Sequence, residues 1–167
     1  MSRVQLALNV DDIDAAVAFY TKMFGTEPAK RRPGYANFAI SEPPLKLVLL
    51  ENPGQGGSLN HLGVEVADAG TVGATQARLA EAGLAFTDER ATTCCYATQD
   101  KFWVQGAPDG EAWEIYTVLA DSQTCYGDDT AAEAGRGSTL AGPSCGPGAC
   151  SGAEVGAGAA ALAAPCC

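Results

Sequence analysis

The stretch that decides the fold is Asn60-His61-Leu62-Gly63-Val64-Glu65-Val66, which holds the only histidine of the 167-residue chain. An earlier stretch, Val4-Gln5-Leu6-Ala7-Leu8-Asn9-Val10-Asp11-Asp12, aligns with residues 60–68 at a constant offset of 56 positions, so that Gln5 falls on His61. Both copies alternate with the period of a β-strand, which places Gln5 and His61 on the face opposite to the large apolar side chains. The sequence therefore predicts a duplicated unit that begins with a strand.

Each copy leads into a helix and then into further strands. The first helix is predicted to follow Asp11 or Asp12, either of which supplies a capping carboxylate, and to end at Gly25. In the second copy, a helix is predicted over residues 72–82. The other predicted strands cover residues 35–41, 46–51, 84–89, 103–105 and 112–118, with residues 52–58 as a linker and residues 91–100 as a loop. The chain is thus predicted to be an α+β protein built from two strand-helix-strands modules.

The composition divides the chain into a folded part and a tail. Hydrophobic residues make up 47% of the sequence, which suits a globular domain of ordinary size. From residue 126 onward, large apolar residues almost disappear, and such a segment cannot bury enough surface to offset its loss of conformational entropy. We therefore predict a folded domain over residues 1–125, with modules at about residues 1–52 and 59–120, and a disordered, low-complexity tail over residues 126–167.

The charge and the hydropathy pattern exclude several kinds of partner. The net charge of -10 argues against nucleic-acid binding, which needs clustered Lys and Arg, and the short basic run at residues 30–32 is predicted to be solvated surface in a turn. No apolar run approaches the ~20 residues of a membrane span, and the N-terminus lacks a signal-peptide pattern. We expect a cytoplasmic protein, in which the seven cysteines are ligands or reactive thiols rather than disulfides.

Three polar side chains are predicted to meet at the centre of the fold. Gln5 and His61 occupy equivalent positions in the two copies, and Glu114 faces away from its apolar neighbours in the last predicted strand. If the two halves pair around a shared cavity, an amide oxygen, an imidazole and a carboxylate converge there, a set that suits divalent iron, manganese, nickel or cobalt. Three protein ligands leave coordination positions open, as catalytic sites do. The alternatives are a hydrogen-bonded structural histidine and a surface carboxylate; the internal repeat favours the metal site.

These modules, the helix core Ala16-Val17-Ala18-Phe19-Tyr20 and the run at residues 108–116 resemble the vicinal oxygen chelate superfamily. That superfamily includes glyoxalase I, fosfomycin-resistance proteins and extradiol dioxygenases. More narrowly, residues 60–64, 94–104 and 113–116 are similar to the group of cadmium-induced proteins and carbon-arsenic lyases. The resemblance covers about residues 1–127 and implies two βαβββ modules around a barrel-like cavity. Because this fold hosts many reactions, the reaction has to be argued from the site.

Two departures from the superfamily pattern help to choose among its reactions. Glyoxalase-type members take a fourth ligand, a carboxylate, from the end of the first module, where residues 46–50 offer none. Three ligands with vacant positions resemble the iron dioxygenase branch, in which substrate and O2 share one metal. Gln5 stands where many dioxygenases have His, and an amide oxygen is the weaker donor. The resemblance therefore implies Fe(II), with Ni, Co or Mn as substitutes.

Two groups of cysteines complete the predicted site. Cys94 and Cys95 are adjacent in the predicted loop, where both side chains can face the same way and bind thiophilic trivalent arsenic together. The alternative is that one packs as a small apolar residue and the other is incidental. The tail carries the second group, Cys145, Cys150, Cys166 and Cys167. These are either auxiliary thiols that capture arsenite or cadmium, or cysteines without a specific role, since zinc-finger spacing is absent.

The leading hypothesis is an Fe(II)-dependent dioxygenase that cleaves the C–As bond of trivalent organoarsenicals, such as methylarsenite or a reduced aromatic arsenical, in arsenic detoxification. The metal ligands are Gln5, His61 and Glu114, the arsenic ligands are Cys94 and Cys95, and O2 is the co-substrate. Two alternatives stay open: a glyoxalase- or fosfomycin-type metal-dependent lyase or thiol transferase, and a non-catalytic arsenic- or cadmium-binding resistance protein. Neither nucleic acid nor membrane is an expected partner, and the linker permits a monomer or a homodimer.

Overall fold

The computed structural model describes residues 2–124 of the chain. Its helices are α1 (Ile13–Phe24) and α2 (Ala69–Glu81). Its strands are β1 (Arg3–Val10), β2 (Lys30–Arg32), β3 (Tyr35–Ile40), β4 (Leu45–Glu51), β5 (Leu59–Glu65), β6 (Phe86–Cys94), β7 (Ala97–Val104) and β8 (Trp113–Asp121). Each half contributes one strand, one helix and three strands in that order, which confirms the predicted α+β class with two βαβββ modules. The predicted disordered tail, with Cys145, Cys150, Cys166 and Cys167, lies outside the described residues.

The eight strands of the described part form one curled sheet, in the order β2-β3-β4-β1-β5-β8-β7-β6. Within each module the first strand pairs in parallel with the last, β1 with β4 and β5 with β8. β1 and β5 then pair antiparallel, with Gln5 opposite Gly63. The two modules therefore join edge to edge within one chain, so that no unpaired strand edge is left at the centre of the sheet.

The two faces of this sheet differ in polarity because side chains alternate along each strand. One face is apolar and is covered by the helices: Ile13 and Val17 of α1 pack in a cluster with Leu47. On the same face of the second module, the fully buried Val72 of α2 packs in a cluster with Phe102. The other face curls around a cavity and carries most of the buried polar side chains. Neither helix of residues 2–124 has the length and apolarity needed to cross a membrane.

Helix α1 has the boundaries that its capping residues predict. The Asp12 carboxylate accepts hydrogen bonds from the backbone N–H groups of Asp14 and Ala15, both at 2.9 Å. At the other end, Gly25 has a φ of 64° and donates its N–H to the Thr21 carbonyl oxygen at 2.9 Å. A residue with a Cβ would be strained in this left-handed conformation, so glycine ends the helix.

Helix α2 begins at Ala69, three residues before the predicted start at residue 72. The Asp68 carboxylate caps it by accepting hydrogen bonds from the Thr71 N–H at 2.7 Å and the Thr71 hydroxyl at 2.9 Å. The sequence prediction was late because it started from the first apolar residue of the helical pattern. The capping residue, and not the apolar spacing, fixes the first turn.

The predicted loop at residues 91–100 is wrong. Strand β6 continues to Cys94 and β7 starts at Ala97, so that the two form a hairpin with Cys95 and Tyr96 as its two-residue turn. Both turn residues have positive φ, 51° and 63°, as a type I′ turn requires. The usual signal for that turn is Asn-Gly or Asp-Gly, and neither residue here carries it.

The prediction that the basic run at residues 30–32 is a solvated turn is also wrong, because these residues form the edge strand β2. The Lys30 ammonium donates to the Tyr96 carbonyl oxygen at 2.8 Å and forms an ion pair with Asp121 at 2.5 Å. These contacts tie the edge of the first module to the turn and last strand of the second. Lys30 and Asp121 both line the cavity, so this ion pair is part of the cavity wall.

The linker between the modules has a defined structure. Asp11, at the end of β1, accepts hydrogen bonds on its Oδ1 from the N–H groups of Gly54, at 2.7 Å, and Gly56, at 3.1 Å. A Cβ at Gly56 would lie only 2.5 Å from an oxygen of Asp11, so a side chain there would displace this contact. The linker is thus fixed against the junction of β1 and α1.

Candidate active site

Three neighbouring strands bring Gln5, His61 and Glu114 together. The register of the sheet aligns Gln5 on β1, Gly63 on β5 and Glu114 on β8. The Gln5 amide nitrogen lies 2.9 Å from Nε2 of His61 and 2.6 Å from Oε1 of Glu114, and His61 Nε2 lies 3.4 Å from the same oxygen. The three side chains are 4%, 2% and 4% exposed, so they meet in the interior and not at the surface.

Gly63 makes this approach possible. A Cβ at Gly63 would lie 3.0 Å from Cγ of Glu114, 3.2 Å from Cβ of Gln5 and 3.3 Å from Oε1 of Glu114. These separations are shorter than ordinary van der Waals contact, so any side chain at this position would force Gln5 and Glu114 apart. The close approach of two ligand candidates therefore depends on the absence of a side chain on the strand between them.

A chain of hydrogen bonds fixes the tautomer of His61. The Asn9 amide donates to Ser58 Oγ at 2.9 Å, the Asn60 amide donates to Asn9 Oδ1 at 2.9 Å, and Asn60 Oδ1 lies 2.7 Å from His61 Nδ1. Because Asn60 uses its NH2 group on Asn9, its oxygen faces the ring and accepts the proton of Nδ1. Nε2 is then left with a lone pair directed at Gln5 and Glu114, which is the tautomer that a metal ligand needs.

The Gln5 amide fits either a hydrogen-bonded or a metal-bound state. Its Oε1 accepts a hydrogen bond from the Tyr116 hydroxyl at 2.5 Å, and the same hydroxyl lies 3.0 Å from Oε2 of Glu65. A rotation of the amide by 180° exchanges its oxygen and nitrogen, which differ little in size. The nitrogen then donates to Tyr116, Tyr116 donates to Glu65, and the carbonyl oxygen faces His61 and Glu114. The contact between Gln5 and Tyr116 is kept in both orientations. In the second orientation the carbonyl oxygen faces the Glu114 carboxylate and the Nε2 lone pair of His61, so this orientation needs a cation between the three groups.

The donor set therefore fits a divalent metal through one imidazole, one carboxylate and one amide oxygen. Among residues 2–124, no group of three or more His, Cys, Asp and Glu side chains is placed to hold a metal ion. The candidate site contains two members of that class, His61 and Glu114, and depends on Gln5 for its third ligand. An amide in this position distinguishes the site from a set of three His and carboxylate ligands.

Buried lysines balance the carboxylates of the site. The Lys101 ammonium, 1% exposed, lies 3.5 Å from Oε2 of Glu114 and 3.5 Å from Glu89. Burial alone raises the pKa of Glu114, but nearby positive charge, that of Lys101 first and Lys46 after it, outweighs burial and lowers this pKa to about 2. Glu114 is therefore ionised at neutral pH. Lys46, on β4, forms a similar pair with Glu65 at 3.2 Å.

Cys94 and Cys95 open into the same cavity as Gln5, His61 and Glu114, and this cavity has a volume of about 300 Å³. Their sulfur atoms lie 3.8 Å apart, so the two side chains approach each other although Cys94 ends a strand and Cys95 begins a turn. Cys94 is disulfide-bonded, in contrast to the expectation of reduced thiols, whereas Cys95 is a free thiol. Burial, followed by the negative charge of Glu114, raises the pKa of Cys95 to about 12.

The sequence prediction missed most of the residues that surround these five side chains. They are Lys46, Gly63, Gln99, Lys101 and Tyr116, all of which contact or neighbour the candidate ligands. A period-two pattern at Ala97, Gln99, Lys101 and Trp103 was the available signal for the residues of β7. It was not used because this segment was predicted to be mainly a loop.

Comparison with known proteins identifies the family. A family model described as the Glyoxalase/Bleomycin resistance protein/Dioxygenase superfamily matches residues 3–115. The chain belongs to this superfamily. Superfamily membership confirms the resemblance that the repeat and its flanking motifs indicated, and it accounts for the two paired modules of the sheet.

Relatives within the superfamily carry names that concern cadmium and arsenic. The chain is 71% identical over 124 residues to the cadmium-induced protein CadI of Mycobacterium tuberculosis, covering 74% of this chain and 81% of that protein. It is 56% identical over 152 residues to the trivalent organoarsenical cleaving enzyme of Thermomonospora curvata, covering 90% of this chain and 100% of that protein. A protein with the same name from a Bacillus species is 42% identical over 129 residues, which cover 74% of this chain and 80% of that protein.

Solved structures of the superfamily share the fold. A Mn(II)-bound glyoxalase from Novosphingobium aromaticivorans matches with a TM-score of 0.53 and 23% identity, over 73% of this chain and 42% of that one. An extradiol ring-cleaving dioxygenase from B. fuscum matches with a TM-score of 0.52 and 18% identity, over 72% of this chain and 34% of that one. At these identities the likeness concerns the fold alone.

Proposed function

We propose that this protein is an Fe(II)-dependent dioxygenase that cleaves the C–As bond of trivalent organoarsenicals and releases arsenite. The observation that carries the proposal is one cavity into which the imidazole, the carboxylate, the amide and the two neighbouring cysteines all open. The name of the Thermomonospora curvata relative, which is 56% identical over 152 residues, supports C–As cleavage as the reaction. The extradiol dioxygenase neighbour supports only the fold.

In this proposal the arsenic binds at the hairpin turn between β6 and β7. Trivalent arsenic is soft and prefers sulfur to oxygen donors. Cys95 is a free thiol in the cavity wall, and Cys94, whose sulfur lies 3.8 Å away, becomes a second donor once its disulfide is reduced. Each As–S bond forms as the thiol proton leaves with an arsenic-bound hydroxyl group as water. The raised pKa of Cys95 keeps that proton in place until the substrate arrives.

Gln5, His61 and Glu114 would hold the metal in the same cavity. Glu114 is ionised, His61 directs the lone pair of Nε2 inward, and the Gln5 carbonyl oxygen joins them after rotation of its amide. Bound Fe(II) supplies the activation of O2 for oxidation of the arsenic-bearing carbon. Iron prefers the nitrogen and oxygen donors and trivalent arsenic prefers the sulfur donors, so the two would bind to different side chains of one cavity.

Once a thiol reductant has reduced the disulfide of Cys94, turnover itself needs no further reductant. For methylarsenite it is CH3As(OH)2 + O2 → HCHO + As(OH)3. The carbon loses four electrons, O2 gains four, and arsenic stays trivalent throughout. The C–As bond, one C–H bond and the O–O bond break, and one As–O bond, one O–H bond and the carbonyl bond of formaldehyde form.

The test is oxygen uptake by reduced, Fe(II)-loaded protein supplied with methylarsenite. We expect one O2 consumed for each arsenite and each formaldehyde formed, and loss of all three signals in His61→Ala and Cys95→Ser. Thr98→Ala is the matched control, because residue 98 lies in the same hairpin but on the opposite strand face to Gln99. Turnover that continues at the same rate without O2 would show that the dioxygenase mechanism is wrong.

A non-catalytic cadmium- or arsenic-binding protein is the second candidate, and the 71% identity to a cadmium-induced protein favours it. On that hypothesis Cys95→Ser weakens resistance in cells while His61→Ala leaves it intact, whereas the dioxygenase loses resistance to organoarsenicals in both. A glyoxalase- or fosfomycin-type enzyme would act on glutathione adducts or fosfomycin without O2. Against it, the cavity-facing side chains of β4 are Lys46 and Val48, so β4 presents no carboxylate to the cavity as a fourth ligand.

A further inference from the structure

Gln99 has an unused hydrogen-bond acceptor next to the cysteines. The residue is 5% exposed, and its side-chain oxygen Oε1 has no hydrogen-bond partner among residues 2–124. Its Nε2 donates to the Cys94 carbonyl oxygen at 3.3 Å. Rotation of the amide would bring two oxygens face to face at that contact, so the carbonyl group of Gln99 is held in the orientation that leaves it unpaired. A buried, unpaired carbonyl oxygen is unfavourable and indicates a missing donor.

The sheet places Gln99 in the wall of the cavity. Gln99 lies two residues after Ala97 on β7, so the two side chains share a face, and Ala97 pairs with Cys94 across the hairpin. On the other side Gln99 pairs with Val118 of β8. All four of these residues, together with Cys95, line the one cavity. A molecule that occupies the cavity beside the cysteine sulfurs is therefore in a position to supply the missing donor.

We propose that Gln99 Oε1 accepts a hydrogen bond from the hydroxyl group that a trivalent arsenical keeps after it has bonded to Cys95. The inference rests on the proposed function, because it takes the arsenical as the occupant of the cavity. A monosubstituted arsenical reacts as RAs(OH)2 + HS–Cys95 → Cys95–S–As(R)OH + H2O. One As–O bond and the S–H bond break, one As–S bond forms, and no atom changes its oxidation state. The product carries one As–OH group, which is the donor that Gln99 lacks.

This contact makes Gln99 a specificity-determining residue. A disubstituted arsenical, R2AsOH, loses its only hydroxyl group when it bonds to Cys95 and has nothing to donate to Gln99. A monosubstituted arsenical keeps one hydroxyl group until a second thiol displaces it. Gln99 therefore favours arsenicals with one organic group, and it orients the adduct while arsenic is attached to a single sulfur.

The experiment measures protection of Cys95 in the full-length protein under reducing conditions. Cys94→Ser is the common background, so that the adduct is limited to one As–S bond. The metal-free protein is incubated with methylarsenite or dimethylarsenite, alkylated with iodoacetamide, and the modified fraction of the Cys95 peptide is measured by mass spectrometry. Reading one peptide separates Cys95 from the cysteines of the tail. The second substitution is Gln99→Met, which keeps the size of the side chain and removes its acceptor, and Gln99→Glu retains an acceptor.

We expect Gln99→Met to raise the methylarsenite concentration for half protection about five- to tenfold, the effect of one lost hydrogen bond. In Gln99→Met, the dimethylarsenite concentration for half protection should change less than about twofold. The Gln99→Glu protein should still be protected at lower concentrations of methylarsenite than of dimethylarsenite. Equal changes for the two arsenicals, or no change for either, would overturn the role of Gln99 while leaving the thiol site standing. Failure of both arsenicals to protect Cys95 before Gln99 is changed would instead overturn the arsenical site itself.

Discussion

Replacement of Gly63 by alanine tests whether the candidate ligands have to approach as closely as the structure shows. The new Cβ would lie 3.2 Å from Cβ of Gln5, an atom that no side-chain rotation can move, and 3.0 Å from Cγ of Glu114. Glu114 is the group that has to turn away. Inserting a methyl group into a packed interior costs about 1–3 kcal/mol of unfolding free energy. Displacing one of three metal ligands should lower metal affinity by at least about tenfold.

Two measurements on Gly63→Ala separate packing from ligand geometry. Urea denaturation of the metal-free protein gives the stability change, and titration with Co(II), followed by its visible absorption, gives the metal affinity. Gly73→Ala in helix α2 is the matched control, because nothing lies within 4 Å of a Cβ at that position. Its expected effects are a gain of about 0.5–1 kcal/mol and unchanged Co(II) binding. Wild-type Co(II) affinity in a destabilised Gly63→Ala protein would refute the proposed ligand set.

Three further predictions concern the groups around the site. Asn60→Ala removes the oxygen that accepts the proton of His61 Nδ1, so the affinity for Co(II) should fall about 10–100-fold. The 15N NMR spectrum of His61 should then show a mixture of the two ring tautomers. An unchanged spectrum would contradict the tautomer argument. Lys101→Met leaves the buried Glu114 without its cation and should lower the free energy of unfolding, measured by urea denaturation, by about 3–5 kcal/mol. Glu89→Gln removes the more exposed ion-pair partner of Lys101 and should cost less than about 1 kcal/mol. Equal losses for the two variants would argue against a buried charge effect. Burial opposes ionisation of Glu65, but Lys46 and Arg3 outweigh burial and lower the pKa of Glu65 below its ordinary value of 4.5. Its contribution to stability is therefore present above pH 4.5 and is lost as the pH falls through the lowered pKa. Glu65→Gln should therefore flatten the dependence of the urea midpoint on pH below 4.5, and a profile parallel to the wild type would show that another carboxylate is responsible.

The sequence was sufficient for the fold because its signals were local and repeated. Alternation of apolar residues placed Gln5 and His61 on one face of their strands, and the offset of 56 positions related the two modules. Capping residues such as Asp12 and Gly25 set the ends of the first helix. The hairpin between β6 and β7 was missed because its turn needs two residues with positive φ, and Cys95 and Tyr96 are not residues from which that conformation is predicted.

The candidate site was predicted in part, since its geometry depends on register between distant strands. The alternation of side chains along one strand was enough to predict that Glu114 faces the cavity. In the structure, Oε1 of Glu114 lies 3.4 Å from Nε2 of His61. Gly63 makes room for Gln5 and Glu114, and Lys101 pairs with Glu114, only because β5, β7 and β8 are neighbours in the sheet. A local sequence pattern does not predict which strands become neighbours. The disulfide at Cys94 was missed because the cysteines of a protein expected in the cytoplasm were predicted to be reduced.

The position of Ser58 connects the linker to the chemistry of the imidazole. Ser58 Oγ donates to the Gln55 carbonyl oxygen at 2.7 Å and accepts from Asn9, and through Asn9 and Asn60 the series of contacts ends at Nδ1 of His61. Changes in the linker are therefore expected to alter how strongly the ring donates electrons to the proposed metal, and with it the affinity of that site. A split or circularly permuted protein opened at this loop would keep every cavity residue and would still be expected to bind the proposed metal with a different affinity. The linker between the modules would thus influence the candidate site although Ser58 does not line the cavity.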